Sequence, residues 1–132
     1  LVTQIDANVG RLLGALERLG LAEDTAVIFT ADHGDMQGSH GLKNKCLPQE
    51  ESSGIPLITR VPSGPRGVVT DALVSGIDFF PTCLDYAVLP AQPGLPGSDF
   101  APLTCWRSPC SSSVTSSSAV ASACQAQVVV RR

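Results

Sequence analysis

Val2, Ile5, Val9, Leu12, Leu13, Leu16 and Leu19 recur every three or four positions, which lays one apolar stripe along an opening helix. Gly20 is placed to stop that helix. Gly10 and Gly14, one turn apart, are expected to let it approach a sheet closely. Asp24-Thr25 marks a turn, and Ala26 to Thr30 is the short, apolar, partly β-branched run of a buried strand. Periodicity then vanishes from 32 to 54, where polar residues and glycines make a loop longer than most connections, the kind that carries function. Pro56 to Val61 reads as a second strand, closed by Pro62-Ser63-Gly64-Pro65, and Val68 to Val74 as a third extended piece. Ile77 to Ala87 reads as a helix with Asp78 in its first turn and Pro81 early enough to be tolerated. Pro90 to Gly97 is a linker. The alternation of helical and strand patterns indicates an α/β fold.

The first strand runs out into Thr30-Ala31-Asp32-His33-Gly34-Asp35. In open α/β sheets, ligands bind beyond the carboxyl ends of strands. An adjacent Asp and His can offer a hard oxygen and a borderline nitrogen to one divalent cation. Taken alone, the same residues also describe a surface turn, with Asp32 and Asp35 as turn formers and Gly34 supplying positive φ.

The residues downstream separate the two readings. Asp32-His33-Gly34-Asp35 continues into Gly38-Ser39-His40-Gly41-Leu42, then Lys43-Asn44-Lys45, Glu50-Glu51-Ser52 and Ile55-Pro56-Leu57-Ile58. Ile5-Asp6-Ala7-Asn8-Val9-Gly10-Arg11 precedes these motifs, and Val74-Ser75-Gly76-Ile77-Asp78 with Phe79-Phe80-Pro81-Thr82 comes after them. In this order the motifs resemble the C-terminal half of the catalytic domain of the sulfatase family, within the alkaline-phosphatase-like superfamily. The resemblance runs from about Val2 to Leu103. It implies a fragment of an alkaline-phosphatase-like sandwich, with a central, mainly parallel sheet flanked by helices. The chain divides accordingly into a partial catalytic domain over 1–104 and a serine-rich tail over 105–132.

The resemblance also implies a chemistry. Hydrolysis of a sulfate ester needs a cation to hold the tetrahedral group, a nucleophile in line and a proton donor for the leaving oxygen. Asp32 takes the place of a family metal ligand, and His33 is a candidate both as ligand and as catalytic group. The family metal is usually calcium; the imidazole makes manganese the alternative, since nitrogen ligands suit softer ions. Lys45 matches the lysine that contacts the sulfate and assists the leaving oxygen, with Lys43 as the competing position. His40 is a candidate pocket or loop-supporting residue, and Glu50 and Glu51 either orient the lysine or face water. Cys46-Leu47-Pro48 echoes the start of the family nucleophile motif but lacks its arginine, so the formylglycine nucleophile is expected upstream of this chain. The implied partner is a small-molecule sulfate ester. A phosphonate or phosphate ester hydrolase of the same superfamily and a non-catalytic remnant are the alternatives.

Composition narrows the rest. A net charge of −3 over 132 residues offers no basic surface for nucleic acid, and no apolar run approaches the ~20 residues of a membrane span. The five cysteines lack the paired spacing of a zinc site. From about Cys105 the character changes to serine-dense sequence without period. A disordered tail and a mis-joined reading frame have the same appearance there.

Overall fold

The structure is a computed structural model, and it describes residues 1–45, 48–62, 64–104 and 128–130. The serine-rich segment, Cys46 and Leu47 lie outside the described residues.

Helix α1 spans Val2–Arg18. It ends as the sequence predicts: Gly20 adopts φ +68°, while its N–H reaches the Glu17 carbonyl and Leu21 N–H reaches that of Leu16. This pair of bonds is the Schellman closure, which satisfies carbonyls that the helix end would leave bare. Gly10 and Gly14 do not mediate a close approach to a sheet. A Cβ at Gly10 would meet nothing, and one at Gly14 would meet only the Arg18 side chain of its own helix.

Strand β1 spans Val27–Thr30, β2 Leu57–Arg60, β3 Val69–Thr70 and β4 Val128–Val130, in the order β1-β2-β4-β3. The expected mainly parallel sheet is not what forms. β1 with β2 and β2 with β4 are antiparallel, and the β3–β4 pair alone is parallel. The reason lies in the connection. Thr30, the last residue of β1, is the register partner of Leu57, the first of β2, so the chain leaves and re-enters at one end of the sheet. A parallel neighbour needs a crossover that travels back along the sheet. Between β1 and β2 the helical pieces are the 3₁₀ turn Ser39–Gly41 and the four-residue helix α2, Glu50–Ser53. At 1.5 Å per residue, α2 covers only about 6 Å, less than half of a strand this long. Among the described residues, β1 stands at the edge of the sheet.

The two faces of the sheet differ. Leu57 and Val74 pack with Phe100, joined by Ile28, Phe79 and Leu103, as the core; the Phe79 and Phe100 rings meet edge to face at 5.5 Å. Val27, Phe29, Ile58 and Arg60 face the other way, toward α1. Arg60 Nη2 lies 3.9 Å from Glu17 Oε1, yet no residue of α1 is buried.

Helix α3, Phe79–Tyr86, follows the 3₁₀ turn Gly76–Asp78. Asp78 is the clasp of this corner. Its Oδ2 accepts Ser75 N–H at 2.7 Å in a capping box, and its Oδ1 accepts Ser98 N–H at 2.7 Å. Thr82, fully buried, donates to the Asp78 carbonyl and accepts Phe100 N–H. The Asp78 to Thr82 motif thus holds the returning 98–104 segment against α3.

Candidate functional site

Three of the four candidate residues are brought together beyond the carboxyl end of β1. Asp32 Oδ1 accepts the backbone N–H of His33 at 3.0 Å, and Asp32 Oδ2 lies 3.3 Å from His33 Nε2. His33 Nδ1 is 2.7 Å from the Gly34 carbonyl. A carbonyl only accepts, so that contact places a proton on Nδ1 and leaves a lone pair on Nε2. Lys45 Nζ meets that lone pair at 2.5 Å. A carboxylate, an imidazole nitrogen and an ammonium therefore converge. Asp32 is 85% exposed and His33 37%.

The loop that delivers Lys45 is folded back on itself. Met36 N–H bonds the Asn44 carbonyl and Gly38 N–H that of Leu42, both at 2.8 Å. The tip needs left-handed backbone at Gln37, Gly38, His40 and Gly41, and again at Asn44; glycine and asparagine adopt it readily. Met36, fully buried, pins the loop to the body, a burial worth about 1.5–3 kcal/mol. Gly34 anchors its start by donating to the Ser52 carbonyl at 2.9 Å. Positive φ is not the reason for glycine here: a Cβ at Gly34 would sit 2.1 Å from the Glu51 carbonyl oxygen, so close backbone approach excludes a side chain.

His40 does not join the cluster. Its Nε2 lies 3.7 Å from Glu51 Oε1, which links the loop tip to α2. Glu51 thereby faces His40, and Lys43 is exposed. Cys46 lies outside the described residues. Beside the cluster opens a cleft of ≈ 490 Å³, with Thr30, Ala31 and Asp32 on one wall, Ser53 and Ile55 on another, and Ser75 and Phe79 on a third. This is a ligand-sized volume. Neither His33 nor Lys45 lines it, so Asp32 is the candidate residue shared by cleft and cluster.

The donor chemistry fits part of a divalent cation site. Two donors 3.3 Å apart are spaced as neighbours in one coordination shell with bonds of about 2.0–2.5 Å, and the Nδ1–H bond to Gly34 aims the ring as metal-binding histidines are aimed. Among the described residues no group of three or more His, Cys, Asp or Glu completes such a site.

Sequence reasoning assigned no role to Met36, read Gly34 as a positive-φ turn residue, and placed Asp78 in the first turn of a helix without its capping contacts. The Ser75-x-x-Asp78 spacing is the capping-box signature and was the available signal for the last. Met36 carried none, because a lone apolar residue in a polar loop has no period to read.

Residues 1–89 match the family described as "Sulfatase". The chain is 35% identical over 103 residues to the N-acetylglucosamine-6-O-sulfatase of Bacteroides thetaiotaomicron, covering 77% of this chain and 18% of that protein. A solved structure in complex with its substrate D-glucosamine-2-N,6-O-disulfate is 34% identical, with a TM-score of 0.64, covering 78% of this chain and 21% of that one. The phosphonate monoester hydrolase of Silicibacter pomeroyi superposes with a TM-score of 0.74 at 32% identity, covering 79% and 21%. The chain belongs to the sulfatase family, within the alkaline-phosphatase-like superfamily. It spans about a fifth of the length of the relatives it matches. Among the described residues no helix is long and apolar enough to cross a membrane.

Proposed function

We propose that this chain is the portion of a sulfatase-like catalytic domain lying after the nucleophile, and that the whole domain hydrolyses a sulfate ester. One observation carries the reading: Asp32 Oδ2 and Lys45 Nζ both contact His33 Nε2, at 3.3 and 2.5 Å. Asp32 and His33 would hold a divalent cation, calcium or manganese, which neutralises charge on the non-bridging oxygens of the ester. Asp32 would be the ligand just beyond β1. His33, its tautomer set by Gly34, offers Nε2. Lys45 places a compact cation with three donors where the leaving oxygen gathers charge and takes a proton. Asp32 also lies on the cleft wall, and the formylglycine nucleophile would come from outside this chain.

A phosphonate monoester is the second substrate class. The higher TM-score to the phosphonate monoester hydrolase, 0.74 against 0.64, favours it.

The test exchanges the matching segment of each host for this chain's residues 1–104, once in the Bacteroides sulfatase and once in the phosphonate monoester hydrolase. Each chimera is assayed on its host's own substrate, with calcium and with manganese. Metal-dependent turnover by the sulfatase chimera, lost in Asp32→Ala, is the expected result. Activity confined to the phosphonate chimera moves the assignment to the second class. Two folded, inactive chimeras overturn both.

A further inference from the structure

Lys45 reaches His33 from a built position. It directly follows the rung between Met36 and Asn44, and the buried Met36 fixes that rung to the body. The backbone therefore delivers the ammonium to the ring, where it meets Nε2. A neutral imidazole has one acceptor nitrogen. Because the Gly34 carbonyl holds the proton on Nδ1, that acceptor is Nε2, the atom the lysine already occupies. Asp32 is differently placed. A carboxylate offers about four lone-pair sites, and that of Asp32 stands 85% exposed, so its oxygens stay open while the lysine remains on the ring.

We infer that Lys45 is a metal-selectivity residue: by occupying His33 Nε2 it disfavours nitrogen-seeking cations and leaves the Asp32 oxygens to oxygen-seeking ones. The inference rests on the cation site of the proposed function and gives that site a means of choosing its metal. Imidazole suits nickel and zinc, whereas carboxylate, carbonyl and water suit calcium. For N/O sites the intrinsic affinity generally climbs toward nickel and copper, so an uncontested Asp-His pair would favour ions of that group. To reach Nε2, such an ion must first break the lysine bond. Calcium binds through oxygen and leaves the bond in place. Repulsion from the ammonium acts on every divalent ion alike, so it weakens binding without selecting. Exchange at Nε2 is the step that discriminates.

The test titrates nickel and calcium into the full 132-residue chain and its Lys45→Met variant by calorimetry. Nickel affinity rises about tenfold or more in the variant, the worth of one hydrogen bond to a charged group. Calcium affinity rises by less than about threefold, the share left to screened charge repulsion. In a His33→Ala background, Lys45→Met no longer strengthens nickel binding, and that background also subtracts nickel held elsewhere on the chain. Without metal, the ¹⁵N resonance of His33 Nε2 moves when Lys45 becomes methionine. Equal gains for the two metals overturn the inference, as does a nickel gain that survives loss of His33 or a ring resonance indifferent to Lys45; each of these leaves the cation site standing. Absence of His33-dependent nickel binding in both the chain and the Lys45→Met variant removes the cation site itself, and the inference with it.

Discussion

Lys45 Nζ donates to His33 Nε2 across 2.5 Å, onto the lone pair that the Gly34 carbonyl exposes by taking the Nδ1 proton. One lone pair serves one partner at a time. Lysine and a divalent cation are thus alternative occupants of His33, while the Asp32 carboxylate is open to either.

This assignment makes Asp32 and Lys45 fail differently in the sulfatase chimera. Asp32→Asn weakens cation affinity, and added metal restores part of the turnover. Lys45→Ala lowers kcat/KM by a factor on the order of 10²–10⁴, while cation affinity does not fall and rises where the lysine had competed for His33 Nε2. Its loss shrinks for esters with good leaving groups, which need little protonation. Rates for a graded series of sulfate esters, with metal titrations of each variant, check both halves. Equal losses across the series leave Lys45 as a clamp on the sulfate.

Gly34→Ala is expected to destabilise the chain by about 2–3 kcal/mol. The new methyl group would lie 2.1 Å from the Glu51 carbonyl oxygen, so the bond from Gly34 N–H to Ser52 must open. Urea unfolding measures the loss. An unchanged midpoint means that α2 and the start of the loop part without cost.

The Asp78 clasp gives a coupled pair. Asp78→Ala strips the partners of Ser75 N–H and Ser98 N–H, and Thr82→Val strips that of Phe100 N–H. Each costs about 1–3 kcal/mol. Because both hold the 98–104 segment on α3, the double variant should lose less than the sum of the singles. A double-mutant cycle by thermal unfolding reads the coupling, and strict additivity would mean two independent corners.

Burial pushes the Tyr86 phenol up to about 12, with Asp99 adding repulsion. Thr104 spends its own proton on the Ala101 carbonyl, so Tyr86 donates to Thr104 Oγ1 at 3.0 Å. The folded pKa stands above the unfolded one, near 10. The stabilisation is therefore complete below pH 10 and is lost as pH rises toward 12. Tyr86 is the sole tyrosine, so ultraviolet titration reads it directly. Unfolding midpoints between pH 9 and 12 should fall for the parent and fall less for Tyr86→Phe.

Much of this layout is legible in the residues themselves. The seven-residue stripe and Gly20 define α1 and its end, and the apolar run before Thr30 defines β1, because periodicity and stop chemistry are local. The convergence of Asp32, His33 and Lys45 was readable only through ordered motifs, since a lysine in a polar loop has no intrinsic mark. Strand direction was not legible. It depends on which end of the sheet the 31–56 connection returns to, and the Thr30 to Leu57 register sets that over a long sequence separation. The apolar stripe of α1 does not translate into buried residues, because periodicity reports which face is apolar and not what covers it.

The bonded rungs at Met36–Asn44 and Gly38–Leu42 bear on how the site tolerates insertions and deletions. Residues added at the tip, between Gly38 and Leu42, lengthen a bulb that hangs beyond a closed neck, and Lys45 keeps its address. One residue added between Asn44 and Lys45 turns the lysine away from His33 although the tip is untouched. The thirteen-residue interval from Asp32 to Lys45 is thus an accident of tip length. Kinship in this loop is better judged by what flanks the neck than by counting along it.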